Sequence, residues 1–298
     1  MARIVQIPRF DMMRQTWLGA GSLALFFFAS AINPFAQSPA AMSTRDVVVH
    51  GHHLAFHVLP GALPAPVLDA GGGADSSYWN SILPELAKRT GSAIITYDRA
   101  GYGASDEVPP PYRIDDAVSD LESGLVELGA THDLILIPHS YAGTIATYLA
   151  ARHPNWISGA VLVDTNVPEF FRDEENAHMG PILQRMGTEG AAEHPSKQAR
   201  TLKAILDAYF ETSRAFHQAV WPKEIPCAVI VSERTPFPPS MTFETALWLQ
   251  AHKDFAAKAP NRTLILAKDS SHDIAHDRPE LILEATEKLV DQLRLEKH

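Results

Sequence analysis

A single cysteine, Cys227, occurs in the 298 residues, so no disulfide can close within the chain, and no Cys/His ligand spacing of the zinc type is present. Runs of Lys or Arg are missing as well. With 25 basic against 35 acidic side chains and a net charge of -10, no clustered positive surface is available for a phosphate backbone, which excludes nucleic acid as a partner. Internal repeats and low-complexity tracts are absent. The longest apolar stretch, Trp17 to Ile32, is shorter than the ~20 residues that span a bilayer, and Pro34 follows it. His50, His52 and His53 lie close together, but strand alternation puts only His50 and His52 on one face, and no carboxylate pattern accompanies them. An exposed edge strand is expected there, and no metal site.

What is present begins with ordinary globular usage, 46% hydrophobic and 20% charged, enough for one large α/β domain with an insertion. The N-terminus differs in kind. Arg14 precedes "WLGAGSLALFFFASAINPFAQSPAA", which has the basic start, apolar middle and small-residue exit of a secretory signal. Residues 1–41 are therefore read as a signal peptide, with an uncleaved anchor as the alternative and Ala36 or Ala41 as cleavage points. Periplasmic or secreted location follows, with no stable membrane span expected after cleavage. A domain of this size can dispense with disulfides in an oxidising compartment.

From Asp46 onward, aliphatic runs alternate with segments of helical period. "DVVVHG" and "HLAFHVLP" open as paired strands, and "APVLDAGGG", "SAIITYDRAG", "DLILIPHS", "GAVLVDTN", "CAVIVSE" and "RTLILAKDSSH" are buried runs ending in loops. Helices are expected over Trp79 to Thr90, Ile114 to Leu128, Gly143 to Arg152, Thr242 to Lys258 and Pro279 to Leu295. Strand and helix alternate, so the class is α/β with a mostly parallel sheet. One region breaks the alternation: 167–222 lacks strand-like runs and reads as several short helices forming a cap between core segments 42–166 and 223–298.

"LILIPHSYAG" ends a buried strand in a sharp corner that carries a serine. His139-Ser140-Tyr141, with Ala142 and Gly143, resembles the Gly-x-Ser-x-Gly nucleophile elbow of the α/β-hydrolase superfamily, with Pro138 and Ala142 replacing its two glycines. "VLDAGGGADSSYW" is similar to the loop after the third strand in that superfamily, Ala70 standing at its usual histidine and Gly71 at its glycine. "TYDRAGYGASD" resembles the marker Asp-x-x-Gly-x-Gly-x-Ser; it lacks the third glycine of a nucleotide-binding loop. The resemblance covers about Asp46 to Leu295 except the cap. It implies an α/β-hydrolase fold with helices on both faces and a helical cap, Ser140 as nucleophile, and the N–H groups of Gly72 and Tyr141 as oxyanion donors.

The superfamily order Ser, acid, His implies a base after the last strand. His272 in "AKDSSHDIAHDRPELI" lies nearest the strand end, and His276 is the competitor. The acid is irregular, because in "VIVSERTPF" Ser232 and Thr235 stand where Gly-x-x-Asp is usual. Two carboxylates remain: Asp164, ending the sixth strand as the acid does in some members, and Glu233. Asp164 is the choice, with Glu233 the alternative.

Acyl transfer through an acyl-enzyme follows, with no cofactor or metal. Serine at the elbow argues against the dehalogenases and epoxide hydrolases of the superfamily, which attack with aspartate. Phe170, Phe171, Met179, Ile182, Met186, Tyr209, Phe210, Phe216 and Trp221 in the cap suit a small to medium hydrophobic ester or lactone, although amphipathic helices need such residues simply to pack. Carbon–carbon bond hydrolysis or perhydrolysis on the same scaffold is the enzymatic alternative, and a ligand receptor without turnover is the other. Oligomeric state is not legible.

Overall fold

The computed structural model describes residues 41–237 and 240–297. Residues 1–40, read as most of a signal or anchor, lie outside them. The chain runs β1 (Ser43–Val49), β2 (His52–Leu59), β3 (Ala65–Asp69), α1 (Leu83–Thr90), β4 (Ile94–Tyr97), α2 (Ile114–Glu127), β5 (Leu134–Pro138), α3 (Ala142–Arg152) and β6 (Ile157–Val163). Then follow α4 (Asp173–Glu193), α5 (Lys197–Asp207), α6 (Tyr209–His217), β7 (Cys227–Ser232), α7 (Thr242–Ala257), β8 (Arg262–Ala267), α8 (Ile274–Asp277) and α9 (Pro279–Leu295). The strands form one sheet in the order β1-β2-β4-β3-β5-β6-β7-β8. Only the β1–β2 and β2–β4 pairings are antiparallel.

Continuous apolar runs are required because both faces of the sheet are covered. In β5 the pleat sends Leu134 and Leu136 into the core beneath α2, α3 and α7, and Ile135 and Ile137 into the core beneath α1 and α9. Each such aliphatic side chain contributes roughly 1.5–3 kcal/mol by leaving water. After β4 the chain crosses back over β3 to place β5 on its other side, so the loops that follow β3 and β5 meet at a topological switch point. That crevice is where open α/β sheets collect ligands.

Two expectations need correction. The segment 167–222 holds one long helix rather than only short ones: α4 runs 21 residues straight through Pro181. The Gly180-Pro181 pair looks like a breaker in sequence, but packing against α5 and α6 keeps the helix continuous. The histidines at the β1–β2 hairpin do have a carboxylate, supplied by α2. Asp120 Oδ1 and Oδ2 lie 3.0 Å from His50 Nδ1 and His52 Nε2, and Tyr112 Oη donates to the same group at 2.8 Å. This network docks the edge hairpin onto α2.

Candidate active site

The elbow after β5 puts Ser140 in the left-handed region, at φ +54°, a conformation costing a non-glycine residue on the order of 1–3 kcal/mol. Its backbone is held by several hydrogen bonds: the Ser140 N–H donates to Val163 O at 3.3 Å, and its carbonyl accepts from the N–H groups of Gly143 (3.0 Å) and Asn166 (2.9 Å). Pro138 is tolerated where glycine is usual because the ladder needs no donor from it; the next residue, His139, donates its N–H to Asp69 O at 3.0 Å. Gly143 has no such latitude. A Cβ there would fall 2.5 Å from that of Thr165 and 2.6 Å from Asn166 O, so α3 could not pass the end of β6.

Ser140 Oγ lies 2.9 Å from His272 Nε2, and His272 Nδ1 lies 2.7 Å from Asp164 Oδ2. Asp164 is fully buried at the end of β6, itself at φ +44°. Its Oδ1 accepts from the Ser232 N–H at 3.0 Å and from Trp248 Nε1 at 2.9 Å, and Ser232 Oγ donates to Oδ2. Burial pushes this carboxyl up, but the hydrogen bond and charge of His272, the charge of His252 and the Ser232 hydroxyl together bring it down to about 2. Ser232, standing where the resemblance has glycine, thus braces the carboxylate of a different strand. Glu233 points elsewhere: exposed, it accepts the Asp269 N–H at 2.7 Å. Thr235 meets Thr245 at 3.0 Å, and the His276 side chain is 82% exposed, beside Asp277.

The loop after β3 abuts the elbow so closely that a Cβ on Gly71 would lie 2.9 Å from His139 Nδ1. Its carbonyls are held from behind. The buried guanidinium of Arg99 donates to Asp69 and to Ala70 O, Gly71 O and Ala74 O, while Tyr102 Oη donates to Gly72 O. With the carbonyls engaged, the N–H groups of Gly72 and Tyr141 have no partner among the described residues, and both residues line the cavity beside Ser140. Sequence reading missed Arg99 as the group that takes over behind this loop; its place in "TYDRAGYG" was the available signal.

His139 was also missed, although it sits inside the elbow. Its ring stacks on Tyr78 at 4.7 Å, and its Nε2 donates to the carbonyl of His272 at 3.0 Å, pinning the loop that carries that imidazole. Burial first, and the neighbouring His272 second, push His139 down to about 3, so it is neutral.

A cavity of about 340 Å³ opens over Ser140. From the earlier apolar set, Phe170, Phe171, Met179, Met186, Tyr209 and Phe216 line it; Ile182, Phe210 and Trp221 do not, and Trp221 packs instead on Phe255. Leu183, Leu202 and Leu206 from the inserted helices, and Phe237 and Trp248 from the core, complete the wall. The few polar groups include Thr144, Asn166 and Ser213. A roomier hollow of about 630 Å³ along α9 includes none of these side chains.

A sequence profile described as alpha/beta hydrolase fold matches residues 66–241. The chain is 29% identical over 220 residues to the uncharacterized protein YqjL of Bacillus subtilis (strain 168), spanning 72% of this chain and 79% of that one. Among solved structures, a loop variant of the haloalkane dehalogenase DbeA from Bradyrhizobium elkanii superposes with a TM-score of 0.62 at 18% identity, over 87% of this chain and 100% of its own. A thermophilic esterase from Thermogutta terrifontis gives 0.56 at 20% identity, over 85% and 99%. At these identities the likeness concerns the fold alone.

Proposed function

This chain belongs to the α/β hydrolase fold family, and from that premise we propose that it is a serine hydrolase cleaving a carboxylic ester or lactone of a small to medium hydrophobic substrate. The observation that carries the reading is the unbroken chain of contacts from Ser140 Oγ through His272 to Asp164, at 2.9 and 2.7 Å, opening on an apolar cavity. An ionised Asp164 accepts from His272 Nδ1–H, which fixes the tautomer and leaves Nε2 free to take the serine proton. Trp248 and Ser232 hold that carboxylate in place while it stays charged.

In the first step Ser140 Oγ forms a bond to the carbonyl carbon as its proton passes to His272 Nε2. The tetrahedral oxyanion is met by the N–H groups of Gly72 and Tyr141, which no carbonyl among the described residues competes for. Collapse expels the alcohol, which takes the proton from His272 and leaves an acyl-enzyme on Ser140. Water then attacks, losing its proton to the same imidazole, which returns it to Ser140 Oγ as the bond to the acyl carbon breaks and the acid departs. In a lactone the leaving alcohol stays tethered to the acyl group and the product is a hydroxy acid.

Substrate size follows from the cavity, whose 340 Å³ lies at the small end of ligand pockets. Its wall of Leu, Met and Phe side chains favours an apolar acyl or alcohol part. A fluorophosphonate probe followed by intact-mass analysis tests the reading, alongside Ser140→Ala and a p-nitrophenyl ester panel. One adduct, lost in the variant and accompanied by ester turnover, is the expected result. Labelling with turnover of a diketone but not of esters would replace it with carbon–carbon bond hydrolysis, and neither adduct nor turnover would replace it with ligand reception. We place the reaction in the periplasm or outside the cell, a reading supported by the signal-like composition of residues 1–41; a mature chain starting at residue 37 or 42 is expected, and a chain retaining residues 1–41 in the membrane fraction would favour an uncleaved anchor.

A further inference from the structure

Away from Ser140, α4 and α7 bring a second group of chemically capable side chains together. Glu175 and His178 stand three residues apart on α4 and so share one face of the helix. Glu244 reaches them from the first turn of α7. One ligand atom from each of the three lies within 4.8 Å of the other two, and His178 Nδ1 is 2.6 Å from Glu244 Oε1.

The carboxylates are costly as they stand. Glu175 is 2% exposed and Glu244 nearly as buried, and Glu175 Oε1 is sealed from solvent with no hydrogen-bond partner among the described residues. The cation just before α4, Arg172, is engaged elsewhere, 3.8 Å from Asp254. One imidazole, 57% exposed, faces two buried carboxylates. What this arrangement lacks is positive charge able to bind both oxygens and the nitrogen at once.

We propose that Glu175, His178 and Glu244 form a binding site for a divalent transition-metal ion of the zinc type, clamping α4 to α7. Two oxygens and one imidazole nitrogen suit such an ion better than calcium or magnesium, which prefer all-oxygen shells. The exposed side at His178 gives the ion an entry path and leaves room for water to complete its coordination. A metal held through Nδ1 requires the ring hydrogen to sit on the imidazole's other nitrogen, on its exposed side. The consequence reaches the cavity, because Met179 follows His178 directly and Trp248 lies one turn beyond Glu244, and both line the wall above Ser140.

The test uses the metal-stripped full-length protein, titrated calorimetrically with zinc and then manganese chloride, with thermal melts run in parallel. Expected are one equivalent bound, zinc tighter than manganese, and a rise in Tm. His178→Ala, which removes an exposed ring, and the near-isosteric Glu175→Gln should each weaken zinc at least about ten-fold and abolish the rise. His52→Ala, at the other histidine cluster, should change neither. Absence of a one-equivalent site, wild-type affinity in His178→Ala, or loss of binding in His52→Ala instead would each overturn the proposal.

Discussion

The corners that follow β6 and β7 each carry a carboxylate within a few residues of the strand end, and the fold uses them in opposite ways. Asp164 is wholly enclosed, accepts hydrogen bonds from Ser232, Trp248 and His272, and stays ionised. Glu233 is exposed and spends its carboxylate on the backbone of Asp269. Proximity in sequence to a strand end therefore does not bring a carboxylate to the imidazole. A carboxylate can stand there charged when its strand delivers it into a pocket already supplied with donors, so that its charge survives burial.

The largest expected break in this contrast is Asp164→Asn. It preserves shape but removes the charge and invites the wrong imidazole tautomer, so kcat should fall by about 10⁴ with KM little changed. Steady-state kinetics on whichever ester the panel selects checks this. Ser232→Ala comes next. It leaves the carboxylate but removes one of its donors, and a loss of about ten-fold in kcat is expected, in line with the strength of a hydrogen bond to a charged group.

The comparison sharpens at His139, which fixes the loop from which His272 meets the β6 corner. Its folded-state pKa is pushed down to about 3 from an ordinary 6.5, so on acidification the unfolded chain takes up a proton that the native state refuses. Stability should fall as pH drops from about 6.5 toward 3, and His139→Gln should flatten that slope in urea unfolding midpoints. Asp164, depressed from 3.8 to about 2, contributes stability present above the first value and lost toward the second, so the His139 effect is read above pH 4. Smallest of all, Glu233→Gln should change kcat/KM by no more than roughly two-fold, the usual reach of a surface substitution. A loss comparable to that of Asp164→Asn would reverse the assignment of the two corners.

Much of the architecture was legible because parallel strands buried on both faces must be continuous apolar runs, and β3, β5, β6 and β7 are such runs. Ser140 was legible for a related reason: a sharp turn between a buried strand and a closely packed helix demands small residues, and Ala142 and Gly143 supply them. The inserted helices were harder, since Gly180-Pro181 reads locally as a break that only packing against α5 and α6 overrides. The work of Arg99 was harder still, because its guanidinium reaches back some thirty residues to Asp69 and the loop that follows it only once β3 and β4 are paired.

By itself, then, the sequence determined the alternation of strands and helices and the position of the elbow, since each depends on residues adjacent along the chain, while the resemblance pointed to His272 as the imidazole. Only the tertiary structure brought Asp164 and not Glu233 to His272, closed the loop of Gly71 and Gly72 against the elbow, selected which apolar side chains line the cavity, and brought Glu244 to Glu175 and His178. Those outcomes rest on distances between segments up to about a hundred residues apart, set by strand order and helix packing, which no local pattern encodes.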